Sequence, residues 1–327
     1  MHEASGLAAS RRRPGLLYAH DDSGHAAVLH GVTIEGAAQG AHPMPRGWVD
    51  DWEDIAAGPC PPPATAEACL YVGDIGDNKR RRRHVIIRVI AEPPPDAAAG
   101  STLDLRATWR LRYPDGPRNA EALVVHPQTG VVEIVTKSLA DPAEVYRVPA
   151  GMTEAAEPTL LARVATLDLG PLAGDPLVTG GDWDPDGDRL VLRTYTSLLV
   201  WPVDRCATAP WWSGTPLVLK APRERQGEAV TVGLDGHLYT ASEGHPMPLS
   251  RRRCLQPVGP VDCSQAAEPP PPAPPEAPAD HAPQGEAPPA DARSCGCTPA
   301  SPMGAWALGV GVVGAAARRR QSKKRRP

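Results

Sequence analysis

The apolar positions of residues 1–263 fall in short runs dominated by Leu and β-branched residues, each closed by a Pro, Gly or Asp turn. No stretch keeps a 3.6-residue amphipathic period, so the pattern predicts strands throughout. Five segments align as the openings of a repeated unit: Glu3-Ala-Ser-Gly-Leu-Ala, Glu53-Asp-Ile-Ala-Ala, Glu121-Ala-Leu-Val-Val, Asp182-Trp-Asp-Pro-Asp-Gly and Glu228-Ala-Val-Thr-Val. Their starts lie 50, 68, 61 and 46 residues apart. Each is followed by a turn such as Pro127-Gln-Thr-Gly or Leu234-Asp-Gly, then by a second strand at 15–20, 70–73, 131–136, 189–195 or 237–242. Longer units add strands at 84–90 with 105–113, and at 143–148 with 160–167. Four-stranded units at this period predict an all-β fold, a β-propeller. Five openings give five blades, and the count leaves room for a sixth. The last unit runs out after two or three strands while the first begins at its innermost, so ring closure is expected to borrow a strand from upstream of Met1. An elongated β-array or a pair of sandwiches is the alternative.

In an antiparallel unit, the start of the first strand and the end of the second share a rim. First strands line the axis of a propeller. Glu3, Glu53, Glu121, Asp182 and Glu228 are therefore expected to form an acidic ring at one mouth. The ends of the second strands add His20, Asp21 and Asp22, then Asp74, Asp77 and Asn78, then Lys137, Arg193, Tyr195 and Glu243. Like-charged carboxylates in one funnel repel, and some must be protonated or hold a cation. Hard oxygen donors of this kind suit Ca2+ or Mg2+, which makes the ring a candidate metal site. Lys137 and Arg193 would pair with an anionic group, and the remaining rim residues would contact a small ligand. The competing reading is that these acids only hold blade loops through backbone N–H groups. Two signals carry less. Asp182-Trp-Asp-Pro-Asp-Gly starts like a calcium-binding EF-hand loop, but its twelfth position is Arg193, and Pro185-Asp-Gly187 reads as a hairpin turn. The Lys79–Arg83 run lacks interleaved aromatics and reads as a solvated loop or a local anion contact.

Composition matters mainly by region. Residues 264–294 hold ten prolines and cannot bury a core, so they read as a disordered, proline-rich linker. Residues 295–327 comprise Cys295-Gly-Cys297, an uncharged stretch to Ala317, and seven Lys/Arg from Arg318 to Arg326. The uncharged stretch is long enough for a short transmembrane helix whose basic end stays cytoplasmic. Removing those seven bases takes the net charge from −4 to −11, which excludes a general nucleic-acid binder. No signal peptide precedes the first strand, and the expectation is a start site placed too late. Of seven cysteines, Cys60 and Cys69 are nine apart, as are Cys254 and Cys263, so each pair could close a local disulfide, leaving Cys206 over.

The order Cys-Gly-Cys, short apolar helix, terminal Arg run resembles the MYXO-CTERM sorting signal. That resemblance implies export, cleavage by a sorting protease near Cys295 and Cys297, loss of the helix, and attachment to the cell surface. A plain single-span anchor is the alternative. Across residues 1–255, Glu3-Ala-Ser-Gly-Leu-Ala-Ala-Ser, Ala19-His-Asp-Asp-Ser-Gly24, Trp52-Glu-Asp-Ile-Ala-Ala-Gly58, Tyr71-Val-Gly-Asp-Ile-Gly-Asp-Asn78 and Arg225-Gln-Gly-Glu-Ala229 resemble a bacterial extracytoplasmic propeller family. Its members are labelled WD-repeat-like or PE-PGRS-like and are distantly similar to phytase-like and lactonase-like propellers. The likeness implies the fold more than the chemistry.

No nucleophile elbow, phosphate-binding Gly loop or HExxH helix is present. Two functions follow from the rim. The first is a surface-displayed propeller that binds a small ligand or partner at its acidic mouth without catalysis. The second is a metal-dependent hydrolase of a phosphate ester or lactone-like substrate, with His20 or Asp22 as general base.

Overall fold

Five antiparallel sheets follow one another along the chain, each built from consecutive strands. In the computed structural model, residues 3–253 are described apart from 46, 65, 66, 95, 141 and 205–208. Cys206, Cys254, Cys263, the proline-rich segment, and the tail with Cys295 and Cys297 lie outside the described residues. Blade one comprises β1 (Ala4–Ala9), β2 (Leu16–Asp21), β3 (Val28–Thr33) and β4 (Ala38–Pro43). Blade two comprises β5 (Asp54–Pro59), β6 (Ala68–Asp74), β7 (Val85–Ala91) and β8 (Leu105–Arg112). Blade three comprises β9 (Ala120–Val125), β10 (Val132–Thr136) and β11 (Ala143–Arg147). The two-residue β12 (Thr159–Leu160) then pairs parallel with β8, before β13 (Ala162–Leu167) completes blade three. A short helix, α1 (Gly170–Ala173), leads into blade four: β14 (Val178–Trp183), β15 (Arg189–Thr194), β16 (Ser197–Pro202) and β17 (Leu217–Lys220). Blade five shows β18 (Gly227–Val232), β19 (His237–Ser242) and β20 (Leu249–Arg253).

This is the five-bladed propeller arrangement that the repeat predicts. The innermost strands β1, β5, β9, β14 and β18 pack around one axis, and β1 packs directly on β18. The ring is thus joined by side-chain packing between the first and last blades. Inner strands are buried on both faces, which is why they read as runs of Ala, Gly, Leu and Val without polar alternation. Small residues on the inner strand face large ones on the second. Ala8 lies opposite Tyr18, Ala56 opposite Tyr71 and Thr231 opposite Tyr239, and all three tyrosines are fully buried.

Each interface between blades has its own apolar cluster. Tyr18 and Leu29 meet Ile55 and Leu70 between blades one and two, and Tyr71 and Trp109 meet Leu123 and Ile134 between two and three. Val124 and Val145 meet Leu190 and Trp201, then Val191 and Leu198 meet Val230 and Leu238. Leu7 and Leu17 with Ala229 and Tyr239 complete the circuit. Each fully buried Leu or Ile contributes about 1.5–3 kcal/mol. The Cys60–Cys69 disulfide forms as predicted, across the β5–β6 hairpin, with Cα atoms 4.9 Å apart. The hairpin turn at Pro185-Asp-Gly187 also forms, closed by Asp184 N–H to Arg189 O at 2.9 Å with Gly187 at φ 73°. Among the described residues no helix is long and apolar enough to cross a membrane.

Two alignments of the sequence shift. The ladders of β1, β9, β14 and β18 break near their first residues, at Ser5, Glu121, Thr179 and Glu228, and Glu53 precedes β5. The five positions at one level are therefore Ser5, Glu53, Glu121, Thr179 and Glu228. Asp182 sits three residues deeper along β14 and leaves the ring, and Glu3 lies two residues ahead of the ring position, which Ser5 takes. The fourth opening aligns in sequence on its Asp-Trp-Asp-Pro turn, whereas the strand begins four residues earlier, at Val178.

Candidate functional site

The level of Ser5, Glu53, Glu121, Thr179 and Glu228 forms the floor of the mouth. Both hydroxyls tie neighbouring blades together: Ser5 Oγ donates to Glu53 O at 2.7 Å and Thr179 Oγ1 to Gly227 O at 3.0 Å. The three carboxylates open instead into a cavity of about 200 Å3, whose lining also includes Glu3, Asp22, Asn78, Lys137, Tyr195, Gln226 and Glu243. Nine of the expected rim residues thus converge: Glu3, Asp22, Glu53, Asn78, Glu121, Lys137, Tyr195, Glu228 and Glu243.

Lys137 is the one basic side chain among the described lining residues. It follows β10, its N–H bonded to Asn119 O at 3.0 Å, which aims the side chain over the floor. Its ammonium pairs with Glu121, donates to Tyr195 Oη at 2.7 Å, and lies 3.9 Å from Glu228 Oε2. Burial opposes its charge, but Glu121 and Glu228 overcome that and hold its pKa above the ordinary value. Gln226 Nε2 bridges Glu228 Oε1 and Glu243 Oε1, each at 2.6 Å.

The acids outnumber this one base, and their protonation responds. Burial, with Glu121, Asp22 and Asp51 nearby, pushes Glu53 up to about 10. Burial also raises Glu228 to about 7, against the pull of Lys137. Asp22, Asp51, Glu121 and Glu243 shift upward too, burial being the first cause each time. Asp22, Asp51 and Glu53 each present a carboxylate oxygen within 4.8 Å of the other two. Gly76 makes room for two of them, since a Cβ there would lie 2.1 Å from Glu53 Oε1 and 2.7 Å from Asp51 Oδ2. That cluster of hard oxygens could hold a metal ion.

The other expected residues do different work. His20 is fully buried and stacks on Trp52 with ring centroids 4.1 Å apart, and desolvation lowers its pKa to about 4. It does not line the mouth. Arg193 is not a ligand clamp. It is entirely buried, pairs with Glu224, and donates to Ala229 O at 2.9 Å as a strut between blades four and five. Gly227 accommodates it, because a Cβ there would fall 1.4 Å from its Nη2. Asp182 accepts from Thr231 Oγ1 at 2.6 Å and Val232 N at 3.0 Å, and lies 3.5 Å from Arg11 Nη2. Asp21 accepts from Glu3 N at 3.0 Å. Asp74 holds Arg82 at 2.8 Å and Asp51 N at 3.0 Å, and Asp77 accepts from Arg82 N at 2.7 Å. These bonds order the loops of blades one and two behind the mouth.

Asp51 and Gln226 join the site without a signal of their own in the strand pattern, although each lies two residues before a ring carboxylate, Glu53 and Glu228. No model of a known protein family matches the chain, and no curated protein matches it in sequence. Fold and site together define a five-bladed propeller with an acidic, nearly all-polar axial mouth.

Proposed function

We propose that this propeller binds a small polar ligand at its mouth without catalysis, with a divalent cation held by Asp22, Asp51 and Glu53. The observation that carries the reading is the convergence of those three carboxylates, two of them against Gly76, while Lys137 is committed to Glu121, Glu228 and Tyr195. A cation there would favour the ionised carboxylates against the burial, and for Glu53 also the neighbouring acids, that now raise Glu53 and Asp51. His20, packed against Trp52, does not line the cavity, and Asp22, the other candidate base, is one of the three carboxylates assigned to the cation, which favours binding over hydrolysis. Export and surface display belong to the same proposal. They are supported by the order of features in residues 295–327 and by the Cys60–Cys69 disulfide, a bond that persists in oxidising compartments.

The test is a melting curve of the full chain in EDTA and in Ca2+, followed by calorimetric titration of Ca2+. Stabilisation of about 2.7 kcal/mol is expected at a hundredfold excess over Kd. Asp22→Asn with Asp51→Asn should lower the affinity at least about tenfold, each 1.4 kcal/mol being one decade. A curve unmoved by Ca2+ or Mg2+ would sink the cation site.

A further inference from the structure

Outside the cavity of the mouth, one face of blade two gathers guanidinium groups. Asp74 lies opposite Ile86 and Ile86 opposite Arg110, while Arg88 lies opposite Thr108. Cross-strand partners and residues two apart share a face, so Arg88 and Arg110 are diagonal neighbours with Asp74 beside them. Arg112 follows Arg110 on that face, which carries Val72 and Ile90 into the apolar cluster shared with blade one. Arg82 joins from the loop between β6 and β7, part of the basic run Lys79–Arg83.

The charges on this face do not balance. Asp74 is already occupied, pairing with Arg82 Nη1 at 2.8 Å and accepting from Asp51 N at 3.0 Å. Arg88 Nη1 stays 3.9 Å from it, beyond a hydrogen bond, and is buried with no partner. The Arg88 side chain is 10% exposed, and its guanidinium lies 5.7 Å from the centroid of the Trp48 ring. Arg110 and Arg112 are exposed, and among the described residues neither side chain has a hydrogen bond or an ion pair. Glu154 accepts from Thr108 N at 2.9 Å but pairs with none of these arginines. Burial lowers the Arg88 pKa against the pull of Asp74, and Arg110 and Arg82 add to the shift. A buried guanidinium without a hydrogen bond is destabilising until something pairs it.

We propose that this face of blade two is an oxyanion subsite, holding a phosphate or sulfate group between Arg88 and Arg110. Guanidinium forks present paired N–H groups that match the oxygens of such a group. The missing partner of Arg88 Nη1 is then a ligand oxygen, and Arg82 and Arg112 add charge at the flanks. The subsite goes beyond the cation reading and needs no ion at Asp22, Asp51 and Glu53.

The experiment is calorimetric titration of the full chain in EDTA with sodium phosphate and sodium sulfate, at constant ionic strength, with sodium chloride as the control. Saturable binding is expected with Kd below about 10 mM, and Arg110→Gln should weaken it about tenfold, a decade for one charge-assisted hydrogen bond. Arg88→Met keeps the apolar stem and should abolish binding. The Tm of that variant in EDTA should hold or rise, because a buried charge without a hydrogen bond is removed while Asp74 keeps Arg82. Dextran sulfate distinguishes the source of the group. Affinity per sulfate near that of the free anion fits a small ligand, and far tighter binding that Arg110→Gln weakens fits a charged polymer. Absence of saturable binding, an equal response to chloride, or affinity unchanged in both variants overturns the subsite. A lower Tm in Arg88→Met with oxyanion affinity retained overturns it too, since Arg88 would then serve the fold alone. If Arg88→Met fails to fold, Arg110→Gln, at an exposed position, still decides. Removing a positive charge can only hold or raise Ca2+ affinity, so absent Ca2+ binding beside intact oxyanion binding counts against the cation site alone.

Discussion

At the scale of single residues, the mouth concentrates acids whose protonation is linked to folding. In the cation-free protein Glu53 titrates near 10 and Glu228 near 7, both above their ordinary 4.5. The native state then keeps protons that the unfolded chain has released, so stability falls as pH rises through each window. Glu228 contributes from 4.5 to about 7, and Glu53 continues to about 10. His20, lowered to about 4 from 6.5, acts with the opposite sign between those values, where the unfolded chain holds the extra proton. The two effects oppose each other in mild acid. Above pH 7 only the carboxyl effect remains of the two. We expect the Tm in EDTA to drop between pH 7 and 9, and Glu53→Gln or added Ca2+ to flatten that drop. Thermal melts across this range are the check, and a Tm that holds level or rises in EDTA contradicts the protonation of Glu53.

At the scale of strands, the β5–β6 hairpin carries its disulfide at the end remote from the mouth. Cys69 lies opposite Gly58, whereas Asp54, beside Glu53, lies opposite Gly73 at the other end. Replacing Cys60 and Cys69 with Ser should cost about 2–3 kcal/mol by the chain-entropy model. At about 2–4 °C per kcal/mol for a domain of this size, calorimetry should read a lower Tm with Ca2+ affinity unchanged. A large change in that affinity would mean that the hairpin sets the mouth geometry. Strands, turns and this disulfide were legible in the sequence because each depends on residues near one another along the chain. Phase was legible in blades two, three and five, where a Glu holds the ring position, and was missed in blade one, where Glu3 lies two residues ahead of Ser5. Blade four opens on Val178-Thr-Gly-Gly, which carries no such mark, and the eye passes to Asp182. Arg193 failed for another reason. Its end-of-strand position suggested the rim, but its direction is set by Gly227 and Glu224, on a different blade.

At the scale of the whole ring, one carboxylate at the axis joins three blades. Asp54 is fully buried and accepts from Ile55 N at 2.8 Å on its own strand, from Leu123 N of blade three at 2.9 Å, and from Gly181 N of blade four at 3.3 Å. Burial raises its pKa well above the carboxylate range, with Asp182 adding to the shift, while those three N–H groups pull the other way. Asp54→Ala would leave the amides of Leu123 and Gly181 buried without acceptors, at about 1–3 kcal/mol each. Relief of the buried acid offsets part of this, so a net loss of about 2–4 kcal/mol is expected. Because the broken hydrogen bonds span blades, the whole ring should weaken together. Urea unfolding followed by tryptophan fluorescence should then show a lower midpoint with an unchanged slope. Glu53, its neighbour in sequence, should respond with the opposite sign, since Glu53→Gln removes the cost of burying a carboxyl that must take up a proton on folding and is expected to hold or raise the stability of the cation-free protein. If both substitutions destabilise alike, the floor of the mouth is a structural ring and the carboxylates there are not held for a ligand.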